Sequence, residues 1–308
     1  MSWATKCKTF RSEGPNSFSN DQSIIICRKE KKSIVRRLLK QNKKKIYYVI
    51  DDNLWDIERL NSIPFDYKKK LINLREGQHT EIINRSAVVV VSSEYLQNKY
   101  RERGYNTFLI NPYWSEKIPN TWSFSSLNRN SPLRIGYLGT ASHVDDRNFT
   151  MRVYQGLLEN GANVELTIMG SDGVADTLRA EPKLKIENYK NWTFYRRHIE
   201  SQKFDVLLYP SLPSDFNNAR SMNKLIEHAV CGGLGVYSET WQYAEMVNSK
   251  RIGITWKNDA DLWIDRLTLL SRKRNFQDYV GDLSEITHIN EEARLAQIAY
   301  WSAAFGIN

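Results

Sequence analysis

Residues 204–239, FDVLLYPSLPSDFNNARSMNKLIEHAVCGGLGVYSE, decide the fold of this sequence. Residues 205–209 are a short apolar run rich in Leu and Val, which predicts a buried parallel strand. A polar loop of Pro, Ser, Asp and Asn residues follows it. We predict a helix from about Arg220 to the glycine pair that begins at Gly232, and a second strand over 234–237.

Three charged side chains mark the predicted start of this helix. Arg220 is predicted to lie in the first turn, and Lys224 and Glu227 follow at one-turn steps. In open α/β sheets, ligands bind beyond the carboxyl ends of the strands, where such a loop leads into a helix N-terminus. A cation at that terminus opposes the helix dipole unless an anion lies between them. The pattern therefore favours a phosphate as ligand, and a solvated amphipathic helix face is the alternative.

The same segment resembles the nucleotide-sugar-binding segment of glycosyltransferases with the GT-B fold, in particular those similar to glycosyltransferase family 4. In that family the pattern F-N-x-x-K-S-x-x-K-x-x-E precedes a strand that ends in Ser. The matching positions here are Phe216, Asn217, Arg220 in place of Lys, Ser221, Lys224 and Glu227, with Gly232 after them and Ser238 at the end of the strand.

The resemblance implies an α/β protein with two Rossmann-like domains that face a cleft, and with a nucleotide-sugar donor. The family's basic residues bind the donor diphosphate, a role that passes to Arg220 and Lys224. Its Glu contacts the ribose, a role that passes to Glu227, and Asn217 and Ser221 belong to the same donor segment. The sequence departs from the family at position 235, where the E-x7-E pattern lacks one of its two acidic residues.

A second ligand-binding loop is predicted at the start of the second half. Gly139 and Thr140 follow a strand and precede a helix, and glycine allows close approach of a ligand to the backbone. This is neither a P-loop nor a G-x-G-x-x-G motif. It resembles the family's G-T-x-x-H-x-x-D element, which makes His143 a sugar-contacting or catalytic residue; a packed polar histidine is the alternative. We predict that Asp146 is the N-cap of a helix over 148–160.

Strands and helices alternate through the first hundred residues, which predicts a parallel sheet with helices on both faces. Residues 1–22 are predicted to be a short helix or irregular. The glycine-rich loop that follows the first strand in the family is missing. The predicted strands cover 23–27, 45–50, 87–91 and 107–110, and the predicted helices include 65–84 and 94–103.

The prolines and the irregular pattern of residues 111–132 indicate a connection between two domains. We predict a short acceptor-side domain over 1–122 and a nucleotide-sugar-binding domain over 123–285. Residues 286–308 are predicted to form a helix that crosses back to the first domain, as is common in GT-B enzymes.

Asp51 and Asp52 end the second predicted strand, at the edge of the sheet where ligands bind. They resemble a D-D-D-L segment found at this place in a subset of these enzymes, which implies contact with an acceptor hydroxyl. The alternative is the acidic metal motif of the other large glycosyltransferase fold. Because Arg220, Lys224 and helix N-termini can supply positive charge, we expect neither a metal nor another cofactor.

The net charge of +9 is concentrated in residues 28–45, which hold ten basic residues and one acid. We predict a basic amphipathic helix there. Such a helix fits an anionic membrane surface, and a solvated helix face is the alternative. No zinc finger, RNA-recognition signature or homeodomain-like pattern accompanies the charge, so nucleic acid is not expected as a partner.

The three cysteines, Cys7, Cys27 and Cys231, form neither a disulfide framework nor a zinc pattern, which fits a reducing cytosol. No apolar run approaches the roughly 20 residues of a membrane span. The N-terminus lacks an apolar signal core, so secretion is not expected. We predict a cytoplasmic protein, with the inner face of the cell membrane as a peripheral location.

The residues and the resemblance together predict a metal-independent glycosyltransferase that moves a sugar to an acceptor hydroxyl, and the resemblance to family 4 implies retention of the anomeric configuration. A glycan or lipid-linked acceptor in bacterial surface polysaccharide synthesis is expected. The alternative is a non-catalytic module that binds sugar nucleotides or acts as a scaffold in a polysaccharide assembly complex. Arg220, Lys224 and Glu227 are all present, which favours the enzyme.

Overall fold

The computed structural model describes residues 10–55, 57, 63–126, 130–140, 142–169, 176–188 and 191–306. These residues form two six-stranded sheets that are covered by helices, which confirms the predicted α/β class with two Rossmann-like domains. Cys7 lies outside the described residues.

The first sheet follows the order of the chain: its first three strands pair antiparallel, and the pairing is parallel from the third strand to the sixth. The hairpin of the first two strands shows that the prediction of a short helix or irregular structure was wrong over 11–19. The period-two pattern was hidden because Ser17 and Ser19 are buried through hydrogen bonds to Glu30 and Glu13, at 2.9 and 2.6 Å. The strands are β1 Arg11–Gly14, β2 Ser17–Ser19, β3 Ser23–Cys27, β4 Lys45–Ile50, β5 Val88–Val91 and β6 Thr107–Leu109.

The second sheet is parallel throughout and has the strand order β12-β11-β10-β7-β8-β9. Because the strand order reverses between β7 and β10, the loops after these two strands border a crevice at the carboxyl edge of the sheet. The strands are β7 Leu133–Tyr137, β8 Val164–Met169, β9 Leu184–Glu187, β10 Val206–Tyr209, β11 Leu234–Ser238 and β12 Ile254–Trp256.

Helices cover both sheets, and within the described ranges none of them is long and apolar enough to cross a membrane. A π-helical turn over Arg75–His79 joins the second and third α-helices. The α-helices are Lys32–Leu39, Phe65–Leu74, Thr80–Ile83, Glu94–Arg101, Val144–Glu159, Asp176–Arg179, Trp192–Ser201, Asp215–Asn218, Asn223–Val230, Ala244–Ser249, Ala260–Lys273 and Ser284–Phe305.

Among the predicted helices whose boundaries differ in the structure, two lie in segments for which a function was predicted. The helix predicted from Arg220 begins at Asn223, because Ser214 caps a separate short helix, Asp215–Asn218, and the chain turns before the next helix starts. The basic run over 28–45 is not one helix. Its helix is confined to Lys32–Leu39, since the residues before and after it form the turns that lead from β3 and into β4.

The last helix, Ser284–Phe305, contacts the cores of both domains. Ile286 packs in the core of the second domain. Near its end, the Trp301 ring lies edge-on to Tyr47 of β4, with 5.9 Å between ring centroids. Tyr47 Oη also donates a hydrogen bond to Ala304 O at 3.2 Å. This helix therefore fastens the end of the second domain to the first sheet.

Replacing Trp301 tests this contact. Trp301→Ala is expected to lower the free energy of unfolding by about 3–5 kcal/mol, the usual cost of removing a large buried aromatic side chain. Urea unfolding measures the change. Leu295→Ala, at an exposed position of the same helix, is the matched control and should change the stability by about 0.5 kcal/mol or less. Equal effects of the two substitutions would contradict the docking of this helix.

Candidate active site in the cleft between the domains

A cavity of about 480 Å³ lies between the two domains, at the carboxyl edge of the second sheet. The first domain contributes Asp51, Ser92 and Pro112 to its wall. Two predicted site residues, Asn217 and Asp52, do not line this cavity. The predicted site residues that line it are Asp51, Gly139, Thr140, His143, Arg220, Ser221, Lys224 and Glu227.

The Arg220 side chain is held mainly by an ion pair with the first domain. It does not lie in the first turn of a helix, because the next helix begins at Asn223. Its Nη2 donates a hydrogen bond to Asp52 Oδ1 at 2.9 Å, and its Nε donates to Phe216 O at 3.2 Å. The guanidinium carbon lies 4.0 Å from the centroid of the Phe216 ring. Burial lowers the Arg220 pKa, but the nearby Asp52 carboxylate, with smaller contributions from Tyr67 and Asp51, more than offsets this, so that the pKa is raised above its ordinary value. The guanidinium is therefore a permanent cation at the cavity wall.

Asp51 and Asp52 have different surroundings. The Asp52 side chain is 2% exposed and contacts Arg28 as well as Arg220, so it faces two cations and is closed off from the cavity. The Asp51 side chain is 53% exposed and lines the cavity. Reduced hydration between the domains and the adjacent Asp52 charge raise the Asp51 pKa. Asp51 is thus the carboxylate that a molecule in the cleft can reach.

Lys224 and Glu227 form a hydrogen-bonded pair on the opposite wall. Lys224 Nζ also donates to Leu138 O, the carbonyl that follows β7, at 2.6 Å. Glu227 is buried and accepts a hydrogen bond from Tyr195 Oη at 2.9 Å. Burial and the Glu227 charge raise the Tyr195 pKa, so the phenol stays protonated and acts as a donor. These contacts fix the ammonium and the carboxylate at the cavity surface.

Gly139 allows the loop after β7 to turn close to its own strand. A Cβ atom at this position would lie 2.3 Å from Tyr137 Oη, so a larger residue would displace the loop. Beyond it, Thr140 and Ser142 join their hydroxyl groups at 2.8 Å. The helix that follows begins at Val144, so its amino end is directed toward this loop.

His143 and Asp146 form one hydrogen-bonded unit, with 3.1 Å between Nδ1 and Oδ2. The N-cap prediction for Asp146 was wrong, because the helix starts earlier, at Val144, and Asp146 lies within its first turn. Its Oδ1 accepts from the amide of Leu212 at 2.8 Å and from the side-chain amide of Asn217 at 3.1 Å. Asp146 and Asn217 therefore hold the start of the helix Val144–Glu159 against the loop that contains Leu212.

The charge state of His143 follows from its surroundings. Burial lowers its pKa below 6.5, Asp146 opposes that change, and the positive charges of Arg220 and Lys224 add to it. The imidazole is neutral at pH 7, with Nδ1 facing Asp146. Its other ring nitrogen, Nε2, can accept a hydrogen bond from a hydroxyl group without adding another positive charge.

Three aromatic residues of the wall, Trp192, Tyr195 and Tyr209, were not predicted from sequence as site residues. Tyr195 and Trp192 lie on the helix Trp192–Ser201, and the Trp192 side chain is exposed for 56% of its area. The Trp192 ring lies edge-on to Trp114, with 6.0 Å between centroids. Nothing in the local sequence distinguishes Trp192 and Tyr195 from the other aromatic residues, because only the fold brings this helix to the cleft.

No group of three or more His, Cys, Asp or Glu side chains is arranged to hold a metal ion in the part of the chain that the structure describes.

The His143 unit can be tested by titration. Asp146→Asn is expected to lower the His143 pKa further, because it removes the charge that stabilises the imidazolium. Lys224→Met is expected to raise it, because it removes a repelling charge. NMR titration of the ring measures both variants. Since the folded-state pKa lies below the unfolded value of 6.5, the stability contributed by neutral His143 is lost as the pH falls below 6.5. A rise in the Asp146→Asn variant would contradict this arrangement.

The sequence matches no protein-family model, and no curated protein matches it significantly. Solved structures are similar to it in fold. Trehalose-6-phosphate synthase superposes with a TM-score of 0.55 at 11% identity, over 89% of this chain and 71% of that chain. Sucrose-phosphate synthase from Thermosynechococcus elongatus gives 0.52 at 12% identity, over 90% and 72%. TarM from S. aureus gives 0.51 at 14% identity, over 82% and 47%, so this chain spans about half the length of TarM. These similarities support the two-domain GT-B fold that was predicted.

Proposed function

We propose that this chain is a glycosyltransferase that moves a sugar from a nucleoside diphosphate sugar to an acceptor hydroxyl. One observation carries the proposal. Arg220, Lys224, Glu227 and His143 line a single cavity together with the loop at Gly139, between two Rossmann-like domains. The cavity combines cations, a carboxylate and a close backbone approach, which are the groups that a charged, hydroxyl-rich ligand requires.

The cations are the groups that we assign to the donor diphosphate. Arg220 carries planar donors that match phosphate oxygens, and Lys224 supplies a compact charge beside the carbonyl of Leu138. When the bond between the sugar and the diphosphate breaks, negative charge develops on the leaving group. Fixed cations at that place bind the transition state more strongly than the substrate, and this difference raises the rate.

Glu227 and His143 are assigned to the sugar and nucleoside hydroxyl groups. Glu227 accepts hydrogen bonds, so its carboxylate suits the ribose hydroxyls of the donor. Neutral His143 and the hydroxyl of Thr140 suit the transferred sugar. Ser221 lies between Arg220 and Lys224 in the sequence, lines the same cavity and is assigned to the same donor surface. Asn217 does not line the cavity, and its side chain donates to Asp146.

Two finer features of the reaction belong to this proposal. We infer that it needs no metal, because Arg220 and Lys224 can neutralise the diphosphate. We also infer that it retains the configuration at the sugar. The TarM structure contains UDP and alpha-GlcNAc-glycerol, and glycosyl transfer with retention was studied in trehalose-6-phosphate synthase. These ligands and this outcome are described for those proteins, and they support the same class of donor and the same outcome here.

The acceptor is assigned to the side of the cavity that Asp51 borders. Its half-exposed carboxylate can accept the proton or hydrogen bond of an acceptor hydroxyl, and reduced hydration in the cleft together with the Asp52 charge raises its pKa. Asp52 supports the site rather than contacting the acceptor. We propose a glycan or lipid-linked acceptor in bacterial surface polysaccharide synthesis, with the enzyme in the cytoplasm.

The basic run over 28–45 supports a location at the inner face of the membrane. Arg28 pairs with Asp51 and Asp52 at the cleft, and Arg37 pairs with Glu13. An anionic lipid surface attracts such a patch by about 1 kcal/mol for each basic residue. The exposed basic residues are Lys29, Lys31, Lys32, Arg36, Arg37, Lys40, Lys43 and Lys45.

Two other functions remain as outcomes of the tests. A non-catalytic module that binds sugar nucleotides or acts as a scaffold would bind the donor without transferring or hydrolysing it. A nucleic-acid-binding protein would ignore nucleotide sugars and bind with a steep dependence on salt.

Arg220→Ala and Lys224→Ala test the donor site. The unmodified chain is tested in a thermal-shift panel of nucleoside diphosphates and their sugars, with and without EDTA. The diphosphate or sugar of one nucleoside should raise its melting temperature. The shift should be insensitive to EDTA and lost in both variants. Slow hydrolysis or transfer of the same nucleotide sugar should fall by about 100-fold or more, the scale of one electrostatic group at a transition state.

Arg152→Ala is the matched control, because Arg152 is exposed and lies on the surface of the second domain. It should leave both the shift and the turnover unchanged. Binding without turnover would favour the non-catalytic module. The absence of any shift across the panel would contradict the proposed donor.

Membrane attachment is tested with vesicles of phosphatidylglycerol. The triple variant Lys40→Gln, Lys43→Gln and Lys45→Gln is expected to bind about 100-fold more weakly, since about 1 kcal/mol is lost at each position. Sedimentation with the vesicles measures the change, and binding should weaken as salt is added.

A second triple variant with the same change in charge provides the control. Lys183→Gln, Arg272→Gln and Lys273→Gln are exposed positions of the second domain and should leave vesicle binding unchanged. An equal loss in both variants would show attraction by net charge alone and would contradict a specific basic face.

A further inference from the structure

Asp52 connects the two domains through its two carboxylate oxygens. Oδ1 accepts a hydrogen bond from Nη2 of Arg220 in the second domain, at 2.9 Å. Oδ2 is in contact with Nη2 of Arg28 in the first domain. The Asp52 side chain is 2% exposed, so these two guanidinium groups replace most of its hydration. One buried carboxylate therefore holds one cation from each side of the cleft.

Arg28 has an unusual backbone for an arginine. It follows β3 with φ of 52°, in the left-handed region that glycine favours. Its amide donates to Val49 O at 2.8 Å, and its carbonyl accepts from Tyr48 Oη at 3.0 Å. Such a conformation persists where the surroundings fix it, and here it aims the side chain at Asp52. Position 28 also lies where the family that this sequence resembles has a glycine-rich loop, which is missing here.

The Arg28 side chain is held in place without Arg220. Its Nη2 donates to Tyr67 Oη at 3.0 Å, and its Nε lies 3.7 Å from Asp51 Oδ1. All of these partners belong to the first domain. The pair of Arg28 and Asp52 therefore remains complete when the contact with the second domain is broken.

We propose that Asp52 and the donor diphosphate bind the same group, the guanidinium of Arg220, so that the diphosphate displaces Asp52 when it binds. In this exchange Arg28 is the positioning residue that keeps Asp52 paired. This inference rests on the proposed function. A guanidinium fork fits a carboxylate and a phosphate with the same geometry, and Arg220 lines the cavity where the donor is assigned. Asp52 and the diphosphate then compete for one group.

The role of Arg28 follows from the cost of an unpaired buried charge. Removing one partner from a buried ion pair is strongly destabilising, because the remaining charge has lost both water and its counter-ion. Without Arg28, release of Arg220 would leave Asp52 in that state. With Arg28 present, the carboxylate keeps one guanidinium, and Arg220 can turn to the phosphate at a much lower cost.

Two substitutions should therefore change donor affinity in opposite directions. Asp52→Asn removes the competing charge and is expected to tighten binding of a nucleoside diphosphate by about tenfold, the scale of one charge-assisted hydrogen bond. Arg28→Met strengthens the hold of Asp52 on Arg220 and is expected to weaken binding by about the same factor. Arg28→Lys keeps the charge and should restore most of the affinity.

Calorimetric titration with the nucleoside diphosphate that gives the largest thermal shift measures these affinities. The matched controls are Asp261→Asn and Arg152→Met, which remove an exposed ion pair of 3.0 Å whose side chains are 77% and 66% exposed. Neither should change the affinity. If Arg28→Met fails to fold, the Asp52→Asn result decides the question alone.

The outcomes separate this inference from the proposed function. Tighter binding by Asp52→Asn, with weaker binding by Arg28→Met where it folds, supports the exchange. Binding by the unmodified chain together with unchanged or weaker binding by Asp52→Asn would overturn the exchange and leave the proposed function standing. A loss in both variants would likewise show that the network only holds Arg220 in place. Failure of the unmodified chain to bind any nucleoside diphosphate would overturn both.

Discussion

The positive charge of Arg220 is the constraint on which the relation between the two domains depends. A cation that is largely removed from water needs a counter-ion, and the one it contacts, Asp52, belongs to the other domain. The neighbouring segment follows it across the interface. Phe216 and Ala219 pack in the core of the first domain. Ser93, in the first domain, donates its hydroxyl to Ala219 O at 2.9 Å. A loop of the second domain is thus built into the first.

This arrangement places the chemistry of the cleft on rigid supports. Gly139 lets the loop after β7 lie against the Tyr137 ring, and Lys224 donates to a carbonyl at the end of the same strand. The cations are paired with carboxylates in the structure: Arg220 with Asp52 and Lys224 with Glu227. The surface is therefore polar and preorganised without a large excess of charge. In the proposed donor site, a diphosphate that enters this cleft would replace existing partners, and its affinity would depend on how well those partners are compensated elsewhere.

The sequence predicts more of the fold than of the interface between the domains. Apolar runs such as 205–209 and 87–91 locate buried parallel strands because this pattern is local. The hairpin at 11–19 was missed because its buried residues are serines whose partners lie elsewhere in the chain. The helix predicted from Arg220 starts only at Asn223, because Ser214 caps a separate short helix, Asp215–Asn218, which the motif pattern did not indicate. The motif was sufficient to predict donor residues that share one cavity in the structure. The pairing of Arg220 with Asp52 spans 168 positions and has no sequence signature.

A crystal structure of the chain with a nucleoside diphosphate would test the central claim most directly, because it locates the phosphate groups among the named side chains. Phosphate oxygens are expected within hydrogen-bond distance of Arg220 and Lys224, beside the Gly139 loop, with the ribose at Glu227 and with Asp52 still in contact with Arg28. A nucleotide bound away from this cleft, or one bound while the cations keep all their present carboxylate partners and make no phosphate contact, would contradict it.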